Sequence, residues 1–105
     1  MEAILKKVKI QTGVVKRISK ERTSYEQEII TLAKQVEDMK SCGKDEHDIK
    51  KRIECLDESR MMIPDCTKRL ANAIDVLRGL VRDNKEIEGE EIMVIAKSLL
   101  EEITA

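Results

Sequence analysis

Apolar residues recur along most of the chain at alternating intervals of four and three positions, the pattern by which one side of an α-helix packs against another helix. The first series comprises Ile4, Val8, Gln11, Val15, Ile18, Arg22, Tyr25, Ile29, Leu32, Val36 and Met39. Because this spacing is maintained throughout, it predicts one long helix over about residues 3–41.

A second series with the same spacing follows after a short interruption. It comprises Ile49, Ile53, Leu56, Arg60, Ile63, Thr67, Leu70, Ile74, Leu77 and Val81. It predicts a second helix over about residues 46–83. A third, shorter helix is expected over about residues 89–103. Its apolar positions are Ile92, Ile95, Ala96, Leu99 and Ile103.

The only proline of the chain, Pro64, lies inside the second series without disturbing its spacing. A proline within a helix has no N–H to donate, and its ring clashes with the carbonyl four residues earlier, here that of Arg60. The preceding residue, Ile63, has no side-chain oxygen with which to cap a new helix. We therefore expect the second helix to continue through this position with a kink near Pro64.

The segment between the first two helices has the residues of a tight connection. Gly43 suits a left-handed cap at the end of the first helix, and Asp45 and Asp48 suit the start of the second. Because the connection is short, the two long helices are expected to be antiparallel neighbours. The third helix, rising about 1.5 Å per residue, is too short to cover both along their full length, and we expect it to fold back over residues 8–18 and 70–81.

These features predict an all-α protein, a single domain over residues 1–105. The expected fold is an elongated antiparallel three-helix bundle with coiled-coil-like packing, two long helices and a shorter third. The composition agrees, since 39% of the residues are charged, Tyr25 is the only aromatic residue, and Phe and Trp are absent. A core without them is aliphatic and thin, which suits helices packed side by side better than a catalytic pocket. We expect no enzyme activity and no catalytic residues.

The three cysteines and one histidine do not indicate redox or metal chemistry. Cys55 and Cys66 would lie about 16 Å apart along one helix, too far for a disulfide or a shared metal ion. His47 lies beside two acidic residues at the start of the second helix, where a solvated side chain is expected. Neither a metal nor another cofactor is predicted.

Charge narrows the range of partners. The formal net charge is −1, so nucleic acid is not an expected partner.

No apolar run is long enough to span a membrane, and the N-terminus lacks the apolar region of a signal peptide, so a cytoplasmic protein is expected. Positive charge is concentrated near the N-terminus and negative charge from Glu86 onward. Either these two segments pair with each other, or the basic one attracts an acidic partner.

In the half of the helix pair nearest the connecting turn, which the third helix is too short to reach, several apolar residues lie outside the two long series. They are Ile30, Ala33, Cys55, Met61 and Met62. This half is a candidate surface for a partner or a second copy of the chain, and adjacent methionines suit such a contact because their side chains are flexible and polarizable.

Residues 58–66, Glu-Ser-Arg-Met-Met-Ile-Pro-Asp-Cys, resemble the segment that characterises the tubulin-binding cofactor A family. Residues 9–17, Lys-Ile-Gln-Thr-Gly-Val-Val-Lys-Arg, are similar to the first helix of that family, and shorter matches at residues 25–26, 48–51 and 68–70 follow at the expected intervals. The resemblance covers nearly the whole chain and is loosest over the last twenty residues or so.

The resemblance implies a three-helix bundle that captures β-tubulin after its release from the cytosolic chaperonin. It also implies that the protein holds β-tubulin, without nucleotide or metal, until another tubulin-folding cofactor takes the β-tubulin toward the αβ-tubulin heterodimer. Association with the cytoskeleton follows from the same resemblance. The alternative is a structural coiled-coil adaptor or a self-assembling helical bundle without affinity for tubulin. The residues leave open whether the protein is a monomer or a homodimer.

The expected contact residues combine basic residues of the first helix with residues around Pro64. They are Lys9, Lys16, Arg17, Lys20, Tyr25, Glu58, Arg60, Met61, Met62, Pro64 and Asp65. The basic residues are expected to steer an acidic partner, and the methionines to supply apolar contact area.

Overall fold

A computed structural model describes residues 1–104 of the chain. The described residues form three α-helices: α1 over Glu2–Ser41, α2 over Glu46–Asp83 and α3 over Glu91–Thr104. A short 3-10 helix, Lys85–Ile87, connects α2 to α3. The predicted all-α class with two long helices and a shorter third is confirmed.

The connection between α1 and α2 is closed by the left-handed glycine that the sequence indicates. Gly43 has a φ of +69°, and its N–H donates to the carbonyl of Lys40 at 3.3 Å. The N–H of Lys44 donates to the carbonyl of Met39 at 3.0 Å. These two bonds are those of a Schellman motif, which satisfies carbonyls at a helix end and allows the chain to reverse.

Asp45 begins α2 as its N-cap. Its carbonyl accepts a hydrogen bond from the N–H of Ile49 at 3.1 Å, and its Oδ1 lies 3.5 Å from the N–H of His47. The side chain thereby serves one of the first amides of α2, which have no partner within the helix. Both ends of this short connection are set by local hydrogen bonds.

Helix α2 runs unbroken from Glu46 to Asp83 with Pro64 inside it. Pro64 and Arg60, whose carbonyl would otherwise bond the missing N–H, are both exposed. Pro64 therefore lies on the exposed side of α2, away from the buried residues of that helix. The kink near Pro64 stays a prediction.

The described chain divides into two compact units. The first, here called the three-helix unit, comprises residues 1–18 and the described residues from 69 onward. The second, here called the two-helix unit, is Ser19–Lys68. Helices α1 and α2 contribute to both units, and α3 belongs to the three-helix unit alone. The expectation of a single domain stays a prediction.

In the three-helix unit, α3 packs on the segments of α1 and α2 that its length led us to expect. The buried apolar residues of this cluster are Val8, Val15, Ile18, Leu70, Ala73, Leu77, Val81, Ile87, Met93, Ala96 and Leu100. Ile87, in the 3-10 helix, belongs to this core. Its burial holds the link between α2 and α3 against the other helices, and α3 begins at Glu91, two residues later than the expected start near Gly89.

In the two-helix unit the buried apolar residues are Leu32, Val36, Leu56 and Cys66, joined by the buried polar residue Ser59. Arg60 and Thr67, which the spacing placed on the buried face of α2, are exposed. That expectation was wrong, because residues three and four positions further along a helix lie on the same side and either can face the partner helix. The smaller side chains of Ser59 and Cys66 take the buried positions.

Two polar residues of α1 in the three-helix unit, Gln11 and Thr12, are explained by their contacts. Gln11 Nε2 donates to the carbonyl of Ala73 at 3.0 Å, which joins α1 to α2 within the three-helix unit. The nearby buried hydroxyl of Thr12 donates to the carbonyl of Val8, 2.7 Å away. Both side chains are therefore hydrogen-bonded at positions where an unpaired polar group would be costly.

Candidate functional site

A groove in the two-helix unit gathers several of the residues that the sequence nominated for partner contact. It is lined by Tyr25, Glu28, Glu58, Ser59, Met61 and Met62, and is here called the Tyr-Met groove. Tyr25 and Glu28 come from α1 and the other four from α2. Antiparallel pairing of the two helices places these segments level with each other, as predicted.

The sequence of α2 accounts for this groove. Ser59 occupies a buried position, 7% exposed, between the larger buried residues Leu56 and Cys66, and its short side chain leaves space beside Tyr25. Met62 is half-buried at the groove, whereas Met61 is 74% exposed. Successive residues on a helix point in directions about 100° apart, so one methionine packs into the helix pair while its neighbour faces solvent.

The chemistry of the groove is apolar with an acidic rim. Tyr25 and the two methionines supply the apolar surface, and Glu28 and Glu58 supply carboxylates. Within the part of the chain that the structure describes, neither glutamate has an ion-pair partner. The groove is therefore suited to an apolar side chain whose neighbour in sequence is basic or donates hydrogen bonds.

Other residues nominated around Pro64 do not line this groove. Arg60 is exposed, and its Nη1 lies 3.9 Å from Asp57 Oδ1 on the same helix, a solvent-exposed pair of small energetic value. Pro64 and Asp65 are exposed residues of α2 outside the groove, and Lys20 is an exposed residue of α1. Of the segment 58–66, the structure brings Glu58, Ser59, Met61 and Met62 to Tyr25.

Three of the nominated basic residues, Lys9, Lys16 and Arg17, belong to the three-helix unit. Lys9 lines a groove at the start of α3, together with Leu5, Glu90, Glu91, Ile92 and Ile95. Lys16 and Arg17 are exposed, and within the described chain neither forms an ion pair. Lys9 thus has acidic neighbours at the start of α3, whereas Lys16 and Arg17 remain available to a partner.

Two residues of the Tyr-Met groove escaped the sequence analysis. Ser59 was missed because the spacing assigned the buried position to Arg60, and Glu28 because a single exposed glutamate on a charged helix carries no signal by itself. Glu28 lies three residues after Tyr25, the interval that places two side chains on one helix face. This interval could have predicted that Glu28 lies beside Tyr25 at the groove.

The described residues contain no group of three or more His, Cys, Asp or Glu side chains placed to hold a metal ion. No described helix combines the length and apolar character needed to cross a membrane. Cys42 and Cys55 are exposed and Cys66 is buried.

A small all-α protein with a methionine-lined groove resembles helical proteins that bind other polypeptides by surface contact. Its family follows from comparison with known proteins. Residues 3–100 match the family described as Tubulin binding cofactor A. The chain belongs to the tubulin-binding cofactor A family, which confirms the resemblance found in residues 9–17 and 58–66.

Relatives and solved structures agree with this assignment. Tubulin-specific chaperone A of Gallus gallus is 46% identical over 99 residues, covering 94% of this chain and 92% of the relative. Tubulin-folding cofactor A of Arabidopsis thaliana is 43% identical over 89 residues, covering 85% and 79%.

Among solved structures, human tubulin chaperone cofactor A is 38% identical with a TM-score of 0.83, covering 97% of this chain and 99% of that one. The crystal structure of tubulin folding cofactor A from Arabidopsis thaliana is 37% identical with a TM-score of 0.88, covering 99% and 98%. The helical fold is therefore shared by animal and plant relatives.

Proposed function

We propose that this protein is a cytoplasmic tubulin-folding cofactor that captures β-tubulin intermediates released from the cytosolic chaperonin and holds them on the way to the αβ-tubulin heterodimer. Family membership supports the tubulin-folding role. The observation that carries the capture step is the Tyr-Met groove, where Met61 is 74% exposed within the segment that resembles the family signature.

The contribution of this groove to binding is moderate. Full burial of a methionine side chain stabilises a complex by about 1.5–3 kcal/mol, and most of the Met61 surface is still available for burial. Its flexible thioether adapts to different apolar partners. A few contacts of this strength favour reversible holding, which allows β-tubulin to be passed to another tubulin-folding cofactor.

Electrostatic steering is assigned to the exposed basic residues of α1. Lys16, Arg17 and Lys20 lie within five positions of each other on this helix, one turn or more beyond Lys9. Positive charge on an exposed face raises the association rate with an acidic partner and makes that rate fall with salt. Steering and groove contact therefore have separate kinetic signatures: the basic residues govern association, and the methionines govern dissociation.

The proposal is tested by capture of β-tubulin released from chaperonin in a folding reaction, with the complex detected on native gels. Met61→Ser is expected to weaken capture by about tenfold or more, because apolar burial of at least about 1.4 kcal/mol is lost. Circular dichroism should be unchanged, since the side chain is exposed. Met62→Ser is expected to weaken capture as well, with some loss of stability because Met62 is half-buried.

Val76→Ser is the matched control for Met61→Ser. Val76 is 54% exposed on the same helix and does not line the Tyr-Met groove, so its loss should leave capture near the wild-type level. Equal loss in both variants, or in neither, would remove the groove from the proposal.

Selectivity and assembly are tested with the same protein. α-Tubulin supplied in place of β-tubulin should not be captured. Sedimentation at increasing protein concentration measures self-association, and oligomers that form without any affinity for tubulin would select the structural adaptor instead.

A further inference from the structure

A second groove in the two-helix unit is unrelated to the residues assigned above. It lies near the connection between α1 and α2 and is lined by Met39, Lys44, Asp48, Lys51, Arg52 and Cys55. This set, here called the hairpin groove, shares no residue with the Tyr-Met groove. Of its residues, the sequence analysis had named only Cys55 as part of a candidate partner surface.

The local structure explains why these side chains converge. Four of them, Asp48, Lys51, Arg52 and Cys55, occupy one face of α2. Lys51, Arg52 and Cys55 follow Asp48 by three, four and seven residues, the intervals that return to the same side of a helix. The Schellman turn at Gly43 reverses the chain and sets Lys44 beside this face. Half-buried Met39, in the last turn of α1, supplies apolar surface.

The charges of the hairpin groove are unbalanced. Lys44, Lys51 and Arg52 face one carboxylate, that of Asp48. Within the described chain none of the three cations forms an ion pair. The neighbouring acid Asp45 does not line the groove and is placed at the helix N-cap. The groove therefore combines positive charge without an intramolecular partner and an apolar surface.

We propose that the hairpin groove binds an acidic peptide segment that carries an apolar side chain, presented by a partner protein. Carboxylates of the segment pair with Lys51, Arg52 and Lys44, and its apolar side chain contacts Met39 and Cys55. This proposal goes beyond tubulin capture through the Tyr-Met groove and does not depend on it. The apolar surface of Met39 and Cys55 favours a peptide over a nucleic acid, because a phosphate backbone would leave that surface without a contact.

The experiment uses the full chain and a fluorescein-labelled peptide in which glutamates flank a central leucine, with binding followed by fluorescence anisotropy. The double substitution Lys51→Gln with Arg52→Gln is expected to weaken binding by about three- to tenfold, because it removes two solvent-exposed ion pairs with the peptide. Asp48→Asn is expected to strengthen it. Added salt should weaken binding to the wild-type protein.

The matched control is Lys50→Gln with Lys68→Gln, which changes the net charge equally at exposed positions of α2 outside the groove. It should leave binding nearly unchanged. Equal weakening by both double substitutions would overturn the proposal, because it would show attraction to overall charge. Binding that persists when the leucine of the probe is replaced by serine, or a single-stranded oligonucleotide that competes at equal concentration, would overturn the proposed peptide chemistry.

Thiol protection locates the probe on the protein. Cys55 lines the groove and is exposed, whereas Cys42 is exposed outside it. The bound peptide should slow alkylation of Cys55 by iodoacetamide, measured by peptide mass spectrometry, and leave the rate at Cys42 unchanged. Unprotected Cys55 at a saturating peptide concentration would place the peptide elsewhere and overturn the assignment.

Discussion

The three-helix unit and the two-helix unit are built from the same two long helices, yet they bury them differently. In the three-helix unit, Val8, Val15, Leu77 and Met93 are completely inaccessible to solvent. In the two-helix unit, Cys66 is the one described residue that is completely inaccessible, and the larger buried side chains Leu32, Val36 and Leu56 each retain a small exposure. Met61 is 74% exposed there, the highest value among the exposed large apolar residues of either unit.

The cause of this difference is the number of helices in each unit. A helix packed against one neighbour buries a single stripe, whereas a helix packed against two neighbours buries a wider face. The two-helix unit consequently retains the Tyr-Met groove and the hairpin groove. We infer that the three-helix unit contributes most of the stability, and that the two-helix unit supplies the two grooves proposed for binding.

The largest expected effect is the loss of a core side chain in the three-helix unit. Leu77→Ala removes a completely buried leucine and should lower the free energy of unfolding by about 3–4 kcal/mol. The matched control, Leu56→Ala in the two-helix unit, should cost about 2 kcal/mol, because a site with one neighbouring helix has fewer contacts to lose. Urea denaturation followed by circular dichroism measures both. A larger loss from Leu56→Ala would reverse the comparison.

Pro64→Ala tests whether the weaker unit can be strengthened. The substitution restores an N–H for the Arg60 carbonyl and removes the ring clash, which favours the isolated helix by up to about 3 kcal/mol. In the folded protein the gain in the free energy of unfolding should be smaller or reversed, because the residues around Pro64 are packed to suit the predicted kink. Native-state hydrogen exchange should show the change in protection in the amides around residues 58–66. A stability gain accompanied by lost β-tubulin capture would show that the predicted kink near Pro64 shapes the binding surface. A gain with unchanged capture would show that it does not.

Substitution of alanine for two of the glycines should change the stability in opposite directions. Gly13 lies inside α1 with no atom within 4 Å of an added Cβ, so Gly13→Ala should stabilise the three-helix unit by about 1 kcal/mol. Gly43 has positive φ, so Gly43→Ala in the two-helix unit should destabilise by about 1–2 kcal/mol. Thermal unfolding of the two variants gives both signs. A destabilising Gly13→Ala would mean that this face of α1 is occupied.

The smallest expected effect concerns the hydrogen bond between α1 and α2 in the three-helix unit. Gln11→Ala removes the donor to the Ala73 carbonyl and should cost about 0.5–1.5 kcal/mol. The exposed glutamine Gln27 of the two-helix unit is the control, and Gln27→Ala should be close to neutral. If both substitutions have the same effect, the interhelical bond contributes nothing measurable to the difference between the units.

Much of the local structure could be predicted from the sequence because its causes are local. The alternating spacing of apolar residues sets the faces of α1, and every member of its first series, from Ile4 to Met39, is buried or half-buried. Gly43 predicts the left-handed cap, since few other residues adopt positive φ without strain. The segment 58–66 pointed to the family before any fold was known. The Tyr-Met groove was predictable in part, through Tyr25, Glu58, Met61 and Met62.

Tertiary structure decided which side of α2 is buried. The sequence permits Arg60 or Ser59, since an interval of three or four residues returns to the same side of a helix with 3.6 residues per turn. The packed partner helix resolves that ambiguity in favour of Ser59. Burial of Ile87 likewise fixes the 3-10 helix before α3. These outcomes depend on contacts between residues far apart in sequence, which no local pattern encodes.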